Sequence, residues 1–446
     1  MVPFPIQGHI TPMLQLATIL HSKGFPITIA HPVLNAPNPS DYHPDFKFVA
    51  LQPDGVSDRS NHLFTLGVGG VVELLAANCP APFKEALGKM MDEDGNKPCV
   101  IYDGLMYFAE GVGKEMGIPS LVLRTSCAAN LLTYHVFPQL REKGHLPEQY
   151  STSSEPVPGL PNLRYKDLPS YTTNWPIEAQ LDFFATVRQT RSATAVIWNT
   201  STTLESSSLS IIHQNHTVPQ IPIFPVGPFH KQILQPKTET LTDEQTSALA
   251  FLDQQPPKSV LYISFGSVAV VTPAEFQEMA WGIANSGQRF FWVVRPGLVF
   301  GSATTDTLLP EGFSEKTGER GKVVKWAPQR KVLGHAAVGG FWTHCGWNST
   351  LEAVADGVPM MCRPWFADQP VIARQVIDGW GVGVEMKKDM GKEEIEKVIR
   401  RLMVDADGEG IRKNALELKK KVLGSLAEGG SGFDGLNQLV EFIGSC

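Results

Sequence analysis

Short β-branched or aliphatic runs alternate along the chain with longer stretches whose apolar residues recur at helical spacing. The first runs are FPITIAH (25–31), FKFVAL (46–51), CVIYD (99–103) and SLVLRT (120–125). Their alternation with helical patterns predicts parallel strands joined by crossover helices. A Pro- and Ser-rich stretch near 151–172 precedes a strand-like AVIWNT (195–200), and the pattern breaks at IPIFPVGPF (221–229). From there to about residue 248 the segment HKQILQPKTETLTDEQTS is polar without an apolar period, which predicts an exposed linker. Alternation resumes with SVLYISFGS (259–267), FFWVVR (290–295), GKVVKW (321–326), GGFWTH (339–344) and VPMMCR (358–363). The predicted fold is α/β: two doubly wound, Rossmann-like domains with parallel sheets facing across a cleft. Their expected extents are 1–229 and 249–428, with a linker over 230–248 and a packed amphipathic helix over 429–446. In such folds ligands lie beyond the carboxyl ends of the strands.

Composition narrows the class. At 446 residues, 42% hydrophobic and 19% charged, the chain has enough aliphatic surface for two or three cores. Its 38 Lys and Arg against 45 Asp and Glu give a net charge of −7, so no global basic field draws nucleic acid or anionic lipid. An anionic ligand must be captured locally. The cysteines Cys79, Cys99, Cys127, Cys345, Cys362 and Cys446 form no C-x-x-C pair, which argues against a zinc ribbon or disulfide framework and for a reducing compartment. No uninterrupted apolar run reaches the roughly 18 residues of a membrane span, and residues 1–30 lack the pattern of a secretory signal. We expect a cytoplasmic, monomeric protein without a membrane span.

Two constellations carry chemistry. FPIQGH followed by the helical ITPMLQLATILHSKG places His9 at a strand-to-helix turn, where Gly8 allows the tight bend. Asp103 ends the run CVIYD, so a parallel sheet would bring it to the same carboxyl edge as His9. An Asp–His pair is a general acid/base device, although a single histidine at a turn is more often structural. The second constellation runs from Trp326-Ala327-Pro328-Gln329 through Gly346-Trp347-Asn348-Ser349 to Asp368-Gln369, 44 residues in all. GGFWTH reads as a buried strand, and CGWNSTLEAVADG turns at once into a helix ending at Gly357. Asn348 or Ser349 is predicted to cap that helix, leaving its N-terminal N–H groups as an anion site. Ser349-x-x-Glu352 also reads as a capping box that needs no ligand, and Asp368 could pair with Arg363. Clustering favours function: His344, Trp347, Asn348, Glu352, Asp368 and Gln369 supply polar groups at several strand ends on one side of a sheet.

This segment resembles the signature box of plant UDP-sugar glycosyltransferases, the secondary-product family with the GT-B fold, in residues and spacing. The similarity extends from FPIQGHITPMLQLA through LDQQPPKSVLYISFGS to the box. It implies that Trp326 stacks on uracil with Ala327 and Gln329 beside it, and that Glu352 holds the ribose. His344, Asn348, Ser349 and Ser267 would contact the diphosphate, Trp347 would also belong to the donor site, and Asp368 and Gln369 would grip glucose. Gln at the final box position implies glucose, where His goes with galactose. The matching histidine and aspartate imply that His9 is the base and Asp103 its partner, with Thr125 or Ser126 near the sugar. By the same resemblance the acceptor pocket belongs to variable loops of the first domain. Candidate lining residues are Ser126, Tyr107, Phe108, Trp175, Trp365 and Phe366. The implied reaction is inverting, metal-independent transfer of glucose from UDP-glucose to a hydroxyl, amine or carboxyl of a small hydrophobic metabolite, with no cofactor. The branch resembled contains steviol-glycoside, cytokinin and benzoxazinoid glucosyltransferases.

Two rival functions would also suit two doubly wound domains. A dinucleotide-dependent oxidoreductase needs G-x-G-x-x-G after a strand, and neither GVGG (67–70) nor GVGVEM (381–386) fits. A non-catalytic sugar-nucleotide sensor would keep the box and lose the base, but His9 and Asp103 are both present. One departure from relatives concerns the start. They carry an aliphatic run before F-P-x-x-G-H, whereas here MVPFP alone precedes Ile6, and Pro3 and Pro5 cannot donate ladder bonds. A shortened chain with an incomplete central strand is the expectation.

Overall fold

A computed structural model describes the chain except residues 52–61, 95–97, 146–152, 170–175, 190–191, 216–220, 234–241, 302–308 and 388. The chain divides into unit 1 (Met1–Leu146, Tyr171–Leu234, Gly424–Cys446) and unit 2 (Pro147–Ser170, Gln235–Leu423). Strands in chain order are β1 (Thr28–Pro32), β2 (Lys47–Leu51), β3 (Val100–Asp103), β4 (Ser120–Arg124), β5 (Pro156–Val157), β6 (Leu160–Arg164), β7 (Ala195–Trp198) and β8 (Ile223–Pro225). They continue as β9 (Val260–Ser264), β10 (Arg289–Val293), β11 (Gly321–Val324), β12 (Val338–Thr343), β13 (Met360–Cys362) and β14 (Gly383–Glu385).

In unit 1, β3-β4-β7-β8 form a parallel sheet and β1 pairs in parallel with β2. Residues 1 and 2 fill the position between β1 and β3. Met1 O accepts from Ala30 N at 2.9 Å, Val2 N donates to Ile101 O at 2.8 Å, and Val2 O accepts from Asp103 N at 3.0 Å. With Pro3 next, pairing to β3 stops at one bridge, Val2 to Tyr102. Behind the sheet, Met13, Leu16, Ala17 and Leu20 of the helix Gln7–Ser22 enter a core with Ile29, Leu121, Leu123 and Ile197. The helix Ser431–Gly444 adds Leu436 and Leu439 to the same core, and Phe442 packs on Phe224 of β8.

Unit 2 is a six-stranded parallel sheet in the order β11-β10-β9-β12-β13-β14. Its central strands β9 and β12 are buried throughout, as both-face coverage by helices requires. The core on one side joins Phe276, Met279 and Ile283 of the helix Pro273–Ser286 to Ile395 and Ile399 of the helix Lys392–Met403.

The structure departs from the sequence pattern at three places. The run 221–229 contains the strand β8 rather than a break. Its prolines are tolerated because β8 is the last strand of its sheet. GVGVEM, which lacks the dinucleotide motif, contributes an edge strand, β14. The linker 230–248 is partly ordered: Phe229–Lys231 form a 3-10 turn with Phe229 and His230 buried, and a helix begins at Asp243. That helix is nucleated by a capping box in which Thr242 accepts from Gln245 N and Gln245 from Thr242 N. Finally, Pro147–Ser170 groups with the second unit, against the boundary expected at 229. A buried ion pair ties the segment there: Arg374 donates to both oxygens of Asp167, at 2.9 and 3.0 Å, with Asp378 on its other nitrogen at 3.0 Å.

Candidate functional site

The first part of the site lies on the carboxyl edge of the unit 1 sheet. The helix Gln7–Ser22 starts immediately after Phe4-Pro5-Ile6, so His9 sits in its first turn, with His9 N bonded to Ile6 O at 2.8 Å. Asp103 ends β3 and is 1% exposed, while the His9 ring is 26% exposed. Nδ1 of His9 lies 2.8 Å from Asp103 Oδ2 and 3.0 Å from Thr125 Oγ1, just after β4. Asp103 Oδ1 accepts from Leu105 N at 2.9 Å, which fixes the carboxylate plane. Phe4 meets the imidazole edge-on at 5.3 Å. A carboxylate at Nδ1 holds the proton there and leaves Nε2 as the basic nitrogen. Thr125 was expected at a sugar. Here its hydroxyl contacts the histidine, a partnership that spacing cannot reveal because 116 residues separate them.

The second part lies on the carboxyl edge of the unit 2 sheet. Trp326, after β11, leaves 55% of its surface in solvent, so it is not the core residue that a tryptophan before Ala-Pro usually is, and Ala327 beside it is buried. Gln329 Nε2 donates to Ser349 Oγ at 2.9 Å and to Glu352 Oε2 at 2.8 Å. Its Oε1 lies 3.4 Å from Tyr262 OH on β9, a partner the sequence did not suggest.

The helix Trp347–Asp356 is not capped by Asn348 or Ser349. Cys345 adopts φ 64°, turning the chain so that Gly346 becomes the N-cap without a side-chain bond, and Asn348 and Ser349 fall inside the first turn. Glu352 therefore forms no capping box, and its buried carboxylate is held by Gln329 instead. At the other end Gly357 closes the helix at φ 67°.

His344 follows β12 and packs against two glycines. A Cβ at Gly266, whose φ is +66°, would come within 2.6 Å of its Nε2. Burial and the positive field of Arg295 push the imidazole down to about 4, so it is neutral in ordinary buffers. Its buried Nδ1 has no hydrogen-bond partner among the described residues. Arg295, unforeseen at the end of FFWVVR, donates from Nε to Gly266 O at 2.8 Å and from Nη2 to Ala269 O, holding the loop that carries the exposed Ser267.

Asp368 precedes the helix Gln369–Arg374, and Gln369 is buried. Gln369 Oε1 accepts from Trp365 N at 2.8 Å and Phe366 N at 3.2 Å, a loop that contains Ala367 at φ 55°. The amide carbonyl is thus committed to the loop, and the NH2 is the end left to present to a ligand. Arg363, the alternative partner for Asp368, pairs with Glu275 at 2.7 Å. Of the acceptor candidates, Trp365 is tied into unit 2 by Nε1 to Val270 O at 3.1 Å and by packing on Phe265 and Arg363. Phe366 adjoins it, half-buried. Phe108 is buried edge-on against Phe83 in unit 1, and Tyr107 precedes its helix. Ser126 O accepts from Trp198 Nε1. Trp175 lies outside the described residues.

A polar, anion-ready strand edge in one unit and an Asp-supported histidine in the other agree with the comparisons. Residues 192–420 match the family described as UDP-glucoronosyl and UDP-glucosyl transferase. UDP-glycosyltransferase 76H1 of Stevia rebaudiana is 43% identical over 97% of this chain and 100% of its own length. Flavonol 3-O-glucosyltransferase UGT76E12 of Arabidopsis thaliana is 41% identical over 99% of this chain and 96% of its own. The chain belongs to the UDP-glycosyltransferase family. Among solved structures, UGT2 of Phytolacca americana, complexed with UDP-2fluoro-glucose and pterostilbene, aligns with a TM-score of 0.81 at 29% identity, over 99% of this chain and 97% of its own. This UDP-glycosyltransferase has the GT-B fold, and the oxidoreductase and sensor readings are set aside.

The depressed His344 makes a pH prediction for the glycosyltransferase. Between its ordinary value of 6.5 and about 4 the unfolded chain takes up a proton that the folded chain refuses. The contribution of this neutral histidine is therefore complete above pH 6.5 and is lost as pH falls toward 4. His344→Gln should remove this pH-dependent part, on the order of 3 kcal/mol across the whole interval. Urea unfolding of both proteins at several pH values across that interval checks it, and parallel curves would refute it.

Proposed function

We propose that this UDP-glycosyltransferase transfers glucose from UDP-glucose to a hydroxyl of a small hydrophobic acceptor by direct displacement, giving a β-glucoside and UDP without a metal. The observation that carries the reading is the 2.8 Å bond between His9 Nδ1 and the buried Asp103. The acceptor hydroxyl gives its proton to Nε2 as its oxygen attacks the anomeric carbon. Asp103 stabilises the resulting imidazolium, as in a Ser-His-Asp triad without the serine.

On the donor side, Trp326 stacks on uracil beside Ala327, and base–aromatic stacking contributes roughly 1–3 kcal/mol. Glu352, oriented by Gln329, accepts from the ribose hydroxyls. Neutral His344 supplies a hydrogen bond rather than a charge. With Trp347, Asn348, Ser349, Ser267 and the first-turn N–H groups it meets the diphosphate as negative charge develops on leaving. Asp368 and the NH2 of Gln369 hold the glucose hydroxyls. The acceptor is taken to be flat or greasy. The flavonol named for UGT76E12 and the pterostilbene named for UGT2 support a phenolic class. The free state of all six cysteines fits action in the reducing cytoplasm.

The test is incubation with UDP-glucose and a panel of phenolic and terpenoid alcohols, with products read by mass spectrometry and the anomeric configuration by NMR. Turnover should persist in excess EDTA. An α-glucoside, or a strict need for added Mg²⁺ or Mn²⁺, would contradict the mechanism. Gln369→His should lower use of UDP-glucose relative to UDP-galactose, because the amide donor is lost and the loop at Trp365 loses its acceptor. An unchanged donor ratio in competition assays would remove Gln369 from the sugar site.

A further inference from the structure

At the end of the Gln7–Ser22 helix opposite His9, three side chains converge that glycosyl transfer does not use. His21 Nε2 lies 3.6 Å from Asp45 Oδ2, and His43 Nδ1 lies 3.6 Å from the same oxygen. All three atoms are within 4.8 Å of one another, and among the described residues no other group of His, Cys, Asp and Glu gathers three ligand atoms in this way. We propose that His21, His43 and Asp45 form a binding site for a divalent d-block cation such as Zn²⁺.

The geometry suits that ion. Bonds of roughly 2.0–2.1 Å in a tetrahedron put neighbouring ligand atoms roughly 3.3 Å apart, so separations of this size close with small side-chain rotations. Two imidazoles and one carboxylate select zinc, copper or nickel over magnesium or calcium, which prefer all-oxygen shells. A water completes the fourth position, since three protein ligands leave one open.

The backbone holds the ligands in place before any ion arrives. His21 ends a helix whose terminal carbonyls are satisfied, its own O accepting from Gly24 N at 2.9 Å. His43 and Asp45 flank Pro44 in a turn closed by Phe46 N to His43 O at 3.0 Å, and the proline fixes the turn. The imidazoles lie 4.2 Å apart centre to centre. The buried Phe46 ring packs at 5.4 Å from His21 and 6.0 Å from His43, walling one side. His43 Nδ1 accepts a long bond from Asp45 N at 3.3 Å, which the metal replaces. Solvent reaches the other side, His43 being 46% and Asp45 71% exposed, so an ion can enter without unfolding. Sequence could not signal the site, because His21 stands 22 positions before His43 and matches no metal-binding spacing.

The experiment titrates the whole 446-residue, metal-stripped chain with Zn²⁺ by calorimetry and follows the melting temperature. One equivalent should bind and raise the melting temperature. His43→Ala and Asp45→Ala, both at exposed positions, should each weaken binding at least about tenfold, since loss even of groups that only orient metal ligands costs 10–100-fold. Both variants should abolish the thermal shift and leave glucosyl transfer unchanged, whereas His213→Ala, on an exposed helix face, should bind as wild type. Co²⁺ should give the visible absorption of a tetrahedral site in the wild type alone. Absence of saturable one-equivalent binding, or binding that survives both substitutions, overturns the proposal. These readouts do not depend on the catalytic reading.

Discussion

His9→Ala is expected to lower kcat by about 10²–10⁴-fold, the usual contribution of a general base, while UDP affinity stays at the wild-type value. The separation follows from placement. The residues assigned to UDP, from Trp326 to Glu352 together with Ser267, all belong to unit 2, and the imidazole belongs to unit 1. Alanine removes the proton acceptor and leaves every one of those contacts. The checking measurements are steady-state kinetics with a non-acidic alcohol and a UDP titration. More than about a tenth of wild-type kcat in the variant would be incompatible with a general-base step of this size. An acidic phenol is the wrong acceptor for this experiment, because it loses its proton without help.

Asp103→Asn should approach the same loss, and Asp103→Ala should be milder. Asp103 Oδ1 accepts from Leu105 N, so an asparagine would keep its carbonyl there and turn its NH2 toward His9 Nδ1. The imidazole would then carry its proton on Nε2, the wrong tautomer for a base, an effect worth about 10⁴ in kcat in the serine proteases. Alanine offers no such donor. Thr125 Oγ1, 3.0 Å from Nδ1, can then accept the Nδ1 proton and keep the productive tautomer. The order of kcat should therefore be wild type, Asp103→Ala, Asp103→Asn, with Asp103→Ala/Thr125→Val falling below Asp103→Ala alone. Asparagine more active than alanine would exclude tautomer control. A double variant no worse than Asp103→Ala would mean that Thr125 does not support the histidine.

Both predictions use residues that were legible from spacing and contacts that were not. His9 and Asp103 were legible because a strand end and a helix start are local events, written in FPIQGH and CVIYD. Likewise the box from Trp326 to Gln369 was legible as a unit, since strand, turn and helix follow one another within it. The cap of its helix is not legible: the sequence offers several capping residues, and the choice depends on the turn at Cys345, whose φ of 64° is not encoded by a glycine. Arg295 and Tyr262 carried no signal, because an arginine or tyrosine in a strand pattern looks alike whether it faces solvent or supports a site.

By itself the sequence determined the alternation of strands and helices, the two-unit α/β class and the residue types at the carboxyl edges. These follow from periodicity and turn chemistry, which act over a few residues. Tertiary structure alone decided which distant groups meet. It set Thr125 against His9 and gave the segment 147–170 to unit 2 through Asp167 and Arg374. It also brought His21 to His43 and Asp45. Such contacts depend on packing and burial among residues tens to hundreds of positions apart. No local pattern encodes them, because the free energy that selects each contact arises only once the sheets and their helices have assembled.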